Sequence, residues 1–391
     1  MNRQAKIILA LTGASHMVAH SLMLVYPTLM VIIKDELGLG FDALGFIALG
    51  SSFMFGLGAI PAGYFENKLG GRKLLLIFQF SCLLAGILVA LSSTTTQFTL
   101  ALIFVGFVAS IYHPAGLTIL SRRVRPMGRA MAIHGIMGSI GLALGPILAT
   151  VFAEWGIWRY VYLFLASVGG VLGLATLVLI PKKDSPEELE TDKALSPDST
   201  NKKALIYFYI TAVLMGLAYN GFTTFMPSHF AMNTNEFLGN LSSTFKAGFF
   251  PALVFLSGIC GQWIGGILAD KYPRPVVLIW VVLLNIPFLI LMGISTDHYL
   301  VVWSIFLGIT HFNFQPIANT LISELTHSKM RGLGFGINFF LTFGVGAIAA
   351  GLSGIIAQKF GVIWVFPTMG IILIPAVLTA LMVIESTRVS S

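Results

Sequence analysis

A chain of 391 residues that is 56% hydrophobic and only 10% charged stands far from soluble domains, in which about 25% of residues are charged. Its net charge of +7 would direct a soluble protein toward nucleic acid, but the basic residues lie in loops between long apolar runs, so no nucleic-acid partner is expected. Cys82 and Cys260 both fall inside apolar runs, which excludes a disulfide framework and a thiolate metal centre.

The first apolar run, residues 7–33, is too long for a cleavable signal and lacks a small-residue cleavage site, so it reads as a membrane span. Within its "SHMVAHSLMLVYP" (15–27), His16 and His20 lie one helical turn apart. A second run, 43–65, leads into the loop "GYFENKLGGRK" (63–73). No Asp, Glu, Lys or Arg occurs from Leu74 to Ser121. "SSTTTQ" (92–97) divides that stretch into runs 74–92 and 98–121, each near the ~20 residues that cross a bilayer. The fourth run carries Ser110, His113 and Pro114 and ends in Arg122, Arg123, Arg125 and Arg129. Runs 128–152 and 158–180 complete the set. The fifth holds His134, then Gly138, Gly141, Gly145 and Pro146, a small-residue stripe suited to close helix packing.

"PKKDSPEELETDKALSPDSTNKK" (181–203) is rich in charge, Ser and Pro and has no apolar periodicity, the composition of a solvated linker. Apolar runs resume at 204–230, 244–269, 275–295, 299–323, 331–357 and 361–384. The seventh carries Tyr219 and Asn220, and the eighth ends in "GILADKYPRP" (266–275). The tenth carries His311, Gln315 and Asn319 at helical spacing. The expected fold is an all-α membrane protein with twelve transmembrane helices in two pseudo-symmetric six-helix bundles, 1–180 and 204–391, joined by a cytoplasmic linker, 181–203.

An even number of spans puts both termini on one side. The loops of the opposite side hold only Lys34, Arg159, Lys246 and Lys359 of the 23 basic residues. The excess of Lys and Arg on the other side therefore predicts cytoplasmic termini, in a multi-pass protein of the inner membrane. Internal repetition supports two related halves. A shift of 200 residues lays "HSLMLVYP" (20–27) on "NGFTTFMP" (220–227), pairing His20 with Asn220. A shift of 202 lays Gly106, Pro114, Thr118, Ser121 and Arg129 on Gly308, Pro316, Thr320, Ser323 and Arg331, and so pairs His113 with Gln315. A shift of 203 lays Gly63 and Lys68 on Gly266 and Lys271.

Both loops after the second span of each half resemble the G-x-L-A-D-R-x-G-R-R loop of the major facilitator superfamily. Gly63, Lys68, Gly70 and Arg72 match in the first copy, with Asn67 in the acid's place, where it is expected to cap a helix N-terminus. Gly266, Asp270, Lys271 and Arg274 fill the second. The glycines are expected to allow close helix approach, and the charged residues to latch neighbouring helix ends. Within that superfamily, "IYHPAG" followed by "RRVRPMGRAMAIHGIMGSIGLALGP", together with the "SHMVAHSLMLVYP" of the first span, resembles the fosmidomycin-resistance branch. Ala115 stands where that branch often has an acid. Gly141-x-x-x-Gly145-Pro146 is similar to a glycine-proline signature of exporters, with Ala149 and Thr150 replacing two of its glycines.

The resemblance implies the major facilitator fold and secondary transport, with helices 1, 4, 7 and 10 lining a central cavity. His16, His20, Ser110, His113, Tyr219, Asn220, His311, Gln315 and Asn319 are then the candidate cavity residues, since polar groups are costly against lipid. His134 is expected to serve packing or gating. Glu66, Asp270, Glu324 and Glu154 lie at span ends, so histidine, with its ordinary pKa near ~6.5, is the available proton carrier. The expected function is efflux of a small organic solute, drug or metabolite, with protons as the candidate coupling ion. The alternatives are import or facilitated diffusion of a small metabolite, and transition-metal transport through His16, His20, His113 and His311. No nucleophile–base pair or acid-activated metal constellation stands out, so no enzymatic activity is expected. Neither is a cofactor or resident metal, and the expected partners of this monomer are its small-molecule substrate and the lipid bilayer.

Overall fold

The computed structural model describes residues 1–125, 127–182, 200–234, 240–327 and 331–388. Most of the linker, 181–203, lies outside them. Among the described residues, twelve helical segments are long and apolar enough to cross a membrane: α1 (Arg3–Leu37), α2 (Phe41–Glu66), α3 (Gly71–Ala90), α4 (Thr95–Arg123), α5 (Arg129–Glu154), α6 (Tyr160–Leu179), α7 (Lys202–Asn233), α8 (Ser243–Lys271), α9 (Arg274–Ile294), α10 (Asp297–Leu325), α11 (Leu333–Phe360) and α12 (Val362–Thr387).

Local chemistry sets several of the boundaries. Thr94, Asn201 and Ser242 each accept a hydrogen bond from the backbone N–H three residues on, capping α4, α7 and α8. Between α2 and α3 the chain turns at Gly70, whose φ of 77° is the left-handed conformation glycine tolerates. Asn67 does not cap a helix start: it lies in the last turn of a helix that ends at Leu69, and Gly70 precedes α3 without a side-chain cap. The side chain of Asn67 lies outside the described residues.

The chain forms two compact units, Met1–Leu29 with Gly50–Asp192 and Met30–Leu49 with Lys193–Ser391. The first half of α2 joins the second unit because it packs without side chains against α11. A Cβ on Gly45 would lie 2.6 Å from the Ala350 carbonyl, and one on Gly354 would lie 2.6 Å from that of Phe41. Gln358 Oε1 accepts the Phe41 N–H at 2.8 Å. Tyr112, Tyr162, Phe78 and Phe98 fill the core of the first unit, and Phe208, Phe222, Phe225 and Phe255 that of the second. Large apolar side chains such as Val178 and Trp263 point outward, as a lipid solvent permits.

The prolines of the two repeats act differently. Pro114 sits inside an unbroken α4, whereas α10 is interrupted at Asn313, between Asp297–Phe312 and Phe314–Leu325. Pro316 has no N–H to give to the carbonyl of Phe312, one turn back, and the break falls there. In α11 the residues Phe340–Val345 widen into a π-helical turn, a local irregularity common at functional sites.

Candidate functional site

In the first unit α1, α4 and α5 bring four imidazoles together. His16 is buried, and the rings of His134 and Tyr112 lie nearly parallel to it, with centroids 4.2 Å and 5.0 Å away and 5.9 Å from each other. Its Nδ1 lies 2.9 Å from the carbonyl oxygen of His134. A carbonyl only accepts, so Nδ1 carries the proton and Nε2 presents a lone pair. His20 Nε2 lies 2.9 Å from that His16 Nε2 and donates to it. The His113 ring stands 5.1 Å from His16 and 5.3 Å from His20, and Phe55 packs on both His20 and His113. His16, His20 and His113 each offer a ring nitrogen within 4.8 Å of the others.

Tyr112 completes the frame. Its hydroxyl donates to the Thr12 carbonyl at 2.6 Å. That leaves it as the acceptor for His134 Nδ1 at 3.3 Å. The glycine stripe of α5 makes room for this arrangement. A Cβ on Gly138 would collide with the His16 ring, one on Gly141 would lie 2.6 Å from Met17 Cα, and one on Gly145 2.7 Å from the Ser21 carbonyl. Ser21 Oγ then donates to the Gly141 carbonyl at 2.9 Å. The stripe therefore packs on α1, with Pro146 buried next to Gly145. Ser110 donates to the Phe107 carbonyl of its own helix.

The second unit arranges its polar residues differently. Tyr219 stacks on His311 at 5.4 Å, and His311 Nδ1 donates to Asn285 Oδ1 at 2.9 Å. The Asn285 amide is oriented by its own bond to the Val281 carbonyl. Asn220 gives its amide to the carbonyls of Gly216 at 2.9 Å and Thr342 at 3.2 Å, the latter within the π turn. Gln315 and Asn319 are exposed. Tyr112, Phe55, Asn285 and Thr342 were not among the sequence candidates. Asn285 left a signal, a lone amide in an apolar span. Tyr112, Phe55 and Thr342 are ordinary span residues whose roles emerge only from packing.

The loop residues form helix-end contacts, although not all the expected ones. Arg72 Nε donates to the Ile180 carbonyl at 2.8 Å and its Nη2 to Leu177 at 3.1 Å, so it closes the C-terminus of α6. Lys68 lies over the Tyr64 ring at 4.6 Å, while Lys271 is exposed. The close-approach role of Gly63 and Gly266 does not hold, because nothing lies within 4 Å of a Cβ built on either. The tight positions are Gly71, 2.9 Å from the Ala115 carbonyl, and Gly265, 2.9 Å from that of Asn313. Asp270 is exposed and makes no ion pair among the described residues. Arg274 pairs instead with Glu324 at 3.3 Å, and Arg122 pairs with the buried Glu66 at 3.3 Å.

Polar side chains buried within membrane-length helices mark a functional centre inside a membrane protein. The family model for the Major Facilitator Superfamily matches residues 9–284 and 240–390, and the chain belongs to that superfamily of secondary transporters. It is 25% identical over 366 residues to the fosmidomycin resistance protein of Escherichia coli (strain K12), covering 90% of this chain and 86% of that one, in agreement with the branch resemblance. It is 24% identical over 375 residues to an MFS-type transporter of Bacillus subtilis (strain 168), covering 93% and 88%. The fold is shared with a POT family transporter (TM-score 0.79, 14% identity, covering 100% and 97% of the two chains). It is also shared with a bacterial homolog of the human lysosomal transporter Spinster (TM-score 0.75, 12% identity, covering 99% and 98%). These relatives are transporters, not enzymes.

Proposed function

We propose that this protein exports a small organic solute across the inner membrane by alternating access of its two six-helix halves, residues 1–180 and 204–391. His16, His20 and His113 supply the polar centre of the first half. The observation that carries this reading is the gathering of three imidazoles from α1 and α4 within 4.8 Å, at mid-span positions where polar side chains are costly unless they serve transport. Export draws support from the relative named for fosmidomycin resistance. A 127-residue stretch that is 32% identical to a putative multidrug resistance protein of Salmonella typhi points the same way. The excess of Lys and Arg in one set of loops supports cytoplasmic termini. Reporter fusions at residue 190 and at the C-terminus should then read cytoplasmic, and one at residue 236 external.

Reconstituted vesicles test the reading with a solute panel that includes fosmidomycin, under imposed pH gradients of either sign. His113→Gln and His20→Asn place in the first half the residue types of their repeat mates. Hydrogen bonding is largely kept and titration removed. Loss of proton-driven accumulation with exchange intact assigns coupling to the histidines, and loss of affinity in both assays assigns solute binding. Wild-type transport in both variants at every pH would overturn the role given to them. No flux of any solute would overturn the export reading.

A further inference from the structure

The geometry points to a second occupant of the first unit: we propose that His16, His20 and His113 form a three-imidazole site for a divalent transition cation. The inference stands independently of the organic solute. One nitrogen from each ring already lies within 4.8 Å of the others. Around a tetrahedral zinc with bonds of about 2.0–2.1 Å, ligand nitrogens are about 3.3 Å apart. His16 Nε2 and His20 Nε2, now 2.9 Å apart, need to separate by only a few tenths of an ångström. The hydrogen bond between them is given up, and His20 moves its proton to Nδ1. All three rings then ligate as neutral imidazoles, and no net proton is released.

The surroundings match what such ligands require. A metal-bound imidazole ordinarily donates its remote N–H to a carbonyl or carboxylate, which fixes the tautomer. His16 does so in advance, because its Nδ1 is bonded to the His134 carbonyl at 2.9 Å. The ring is packed against both His134 and Tyr112 with Gly138 at its edge, which restricts its movement. His20 and His113 are half-buried, and Phe55 backs both. His16 and His20 are four residues apart on one helix face, the spacing at which two helical imidazoles meet one ion.

The donor set selects the cation. Three nitrogens without a carboxylate suit zinc, cobalt, nickel or copper, while magnesium and calcium demand oxygen. Three protein ligands leave the fourth position for water or an exchangeable anion, as at open zinc sites. His311 takes no part, since it belongs to the second unit and is committed to Asn285.

The test uses the full-length chain without a histidine tag, purified in detergent and titrated with Co2+, whose visible absorption reports tetrahedral nitrogen coordination. One Co2+ per chain is expected, displaced by Zn2+ and not by Mg2+ or Ca2+. His20→Gln and His113→Gln should each weaken binding by at least about 100-fold, more than the 10- to 100-fold typical of losing an outer partner. His311→Gln should bind as wild type. Thermal unfolding without metal verifies that each variant is folded. His20 and His113 are half-buried, so the test leaves the buried His16 unsubstituted. Absence of the Co2+ spectrum, its survival in the His20→Gln/His113→Gln double variant, or equal loss in His311→Gln would overturn the site. Solute flux measured with a chelator present is a separate readout, so either proposal can fail without the other.

Discussion

The two repeats place polar residues at two matching positions, His20 with Asn220 and His113 with Gln315, and use them differently. In the first unit the side chains turn toward one another: His16 bonds His20, and His113 closes the group. In the second the mate of His20 turns toward the backbone, since Asn220 serves the carbonyls of Gly216 and Thr342, while Gln315, the mate of His113, is exposed and His311 pairs with Asn285. An imidazole has one donor and one acceptor pointing away from each other on a rigid ring, which suits chains of side chains. An amide can satisfy the stray carbonyls that a π turn or a proline leaves behind. Both positions thus stay polar, while substitution gives a ring cluster in the first unit and, at Asn220, a backbone brace in the second.

The largest effect should come from filling the space that holds the cluster. Gly138→Leu drives a side chain into the His16 ring, and overpacking of this kind costs about 3 kcal/mol. A strong fall in the thermal midpoint is expected, together with loss of Co2+ binding. An unchanged midpoint would mean that the stripe on α5 does not hold His16 in place. In the second unit, Asn220→Leu removes two hydrogen bonds and strands the Thr342 carbonyl, at about 2 kcal/mol. Its midpoint should fall while Co2+ binding at the first unit stays intact. Joint loss of both would contradict the division of labour between the units.

Much of this was legible in the sequence. Composition and run length fix the twelve spans, because a bilayer demands a set length of apolar helix. The loop motifs and the offsets near 202 carry the superfamily. His16, His20 and His113 were visible as costly residues in apolar runs. What escaped depends on rotation about helix axes and on packing one turn away. Nothing in the sequence marks Tyr112, rather than Ser110, as the side chain that frames His16. Nor does any motif reveal that α11 opens into a π turn at Thr342. The loop glycines show the same limit: the motif marks Gly63 and Gly266, while contact falls on Gly71, beyond the turn at the start of α3, and on Gly265, one residue back on α8, where the helix presents a different face.

The ion pairs at the basic-loop ends extend the comparison to a smaller scale. Glu66 is 8% exposed beside Arg122, whereas Glu324 is 44% exposed beside Arg274. Exposed pairs contribute about 0–1 kcal/mol, while breaking a buried one leaves a charge without its partner. Glu66→Gln should therefore cost about 1 kcal/mol more than Glu324→Gln, read from unfolding midpoints in matched detergent. High salt should shrink the effect of the Glu324 change more than that of Glu66. Equal costs would show that the first pair is as solvated as the second.

The smallest expected change runs in the opposite direction. Gly63 and Gly266 lie within helices, at helical φ, with open space around a built Cβ. Glycine inside a helix loses more chain entropy on folding than alanine does. Gly63→Ala and Gly266→Ala should therefore each leave the midpoint unchanged or raise it by the equivalent of about 0.5 kcal/mol. At Gly71 and Gly265 the same substitution puts a methyl within 2.9 Å of a carbonyl oxygen on a neighbouring helix, and the midpoint should fall. The four alanine variants separate two reasons for a glycine at these loops. If Gly63→Ala and Gly266→Ala destabilise while Gly71→Ala and Gly265→Ala do not, the helices approach at the motif glycines after all, and the displacement of the contact is wrong. If all four are neutral, these helix ends are loosely packed, and the ion pairs with the Arg72 cap hold them in place of any close approach.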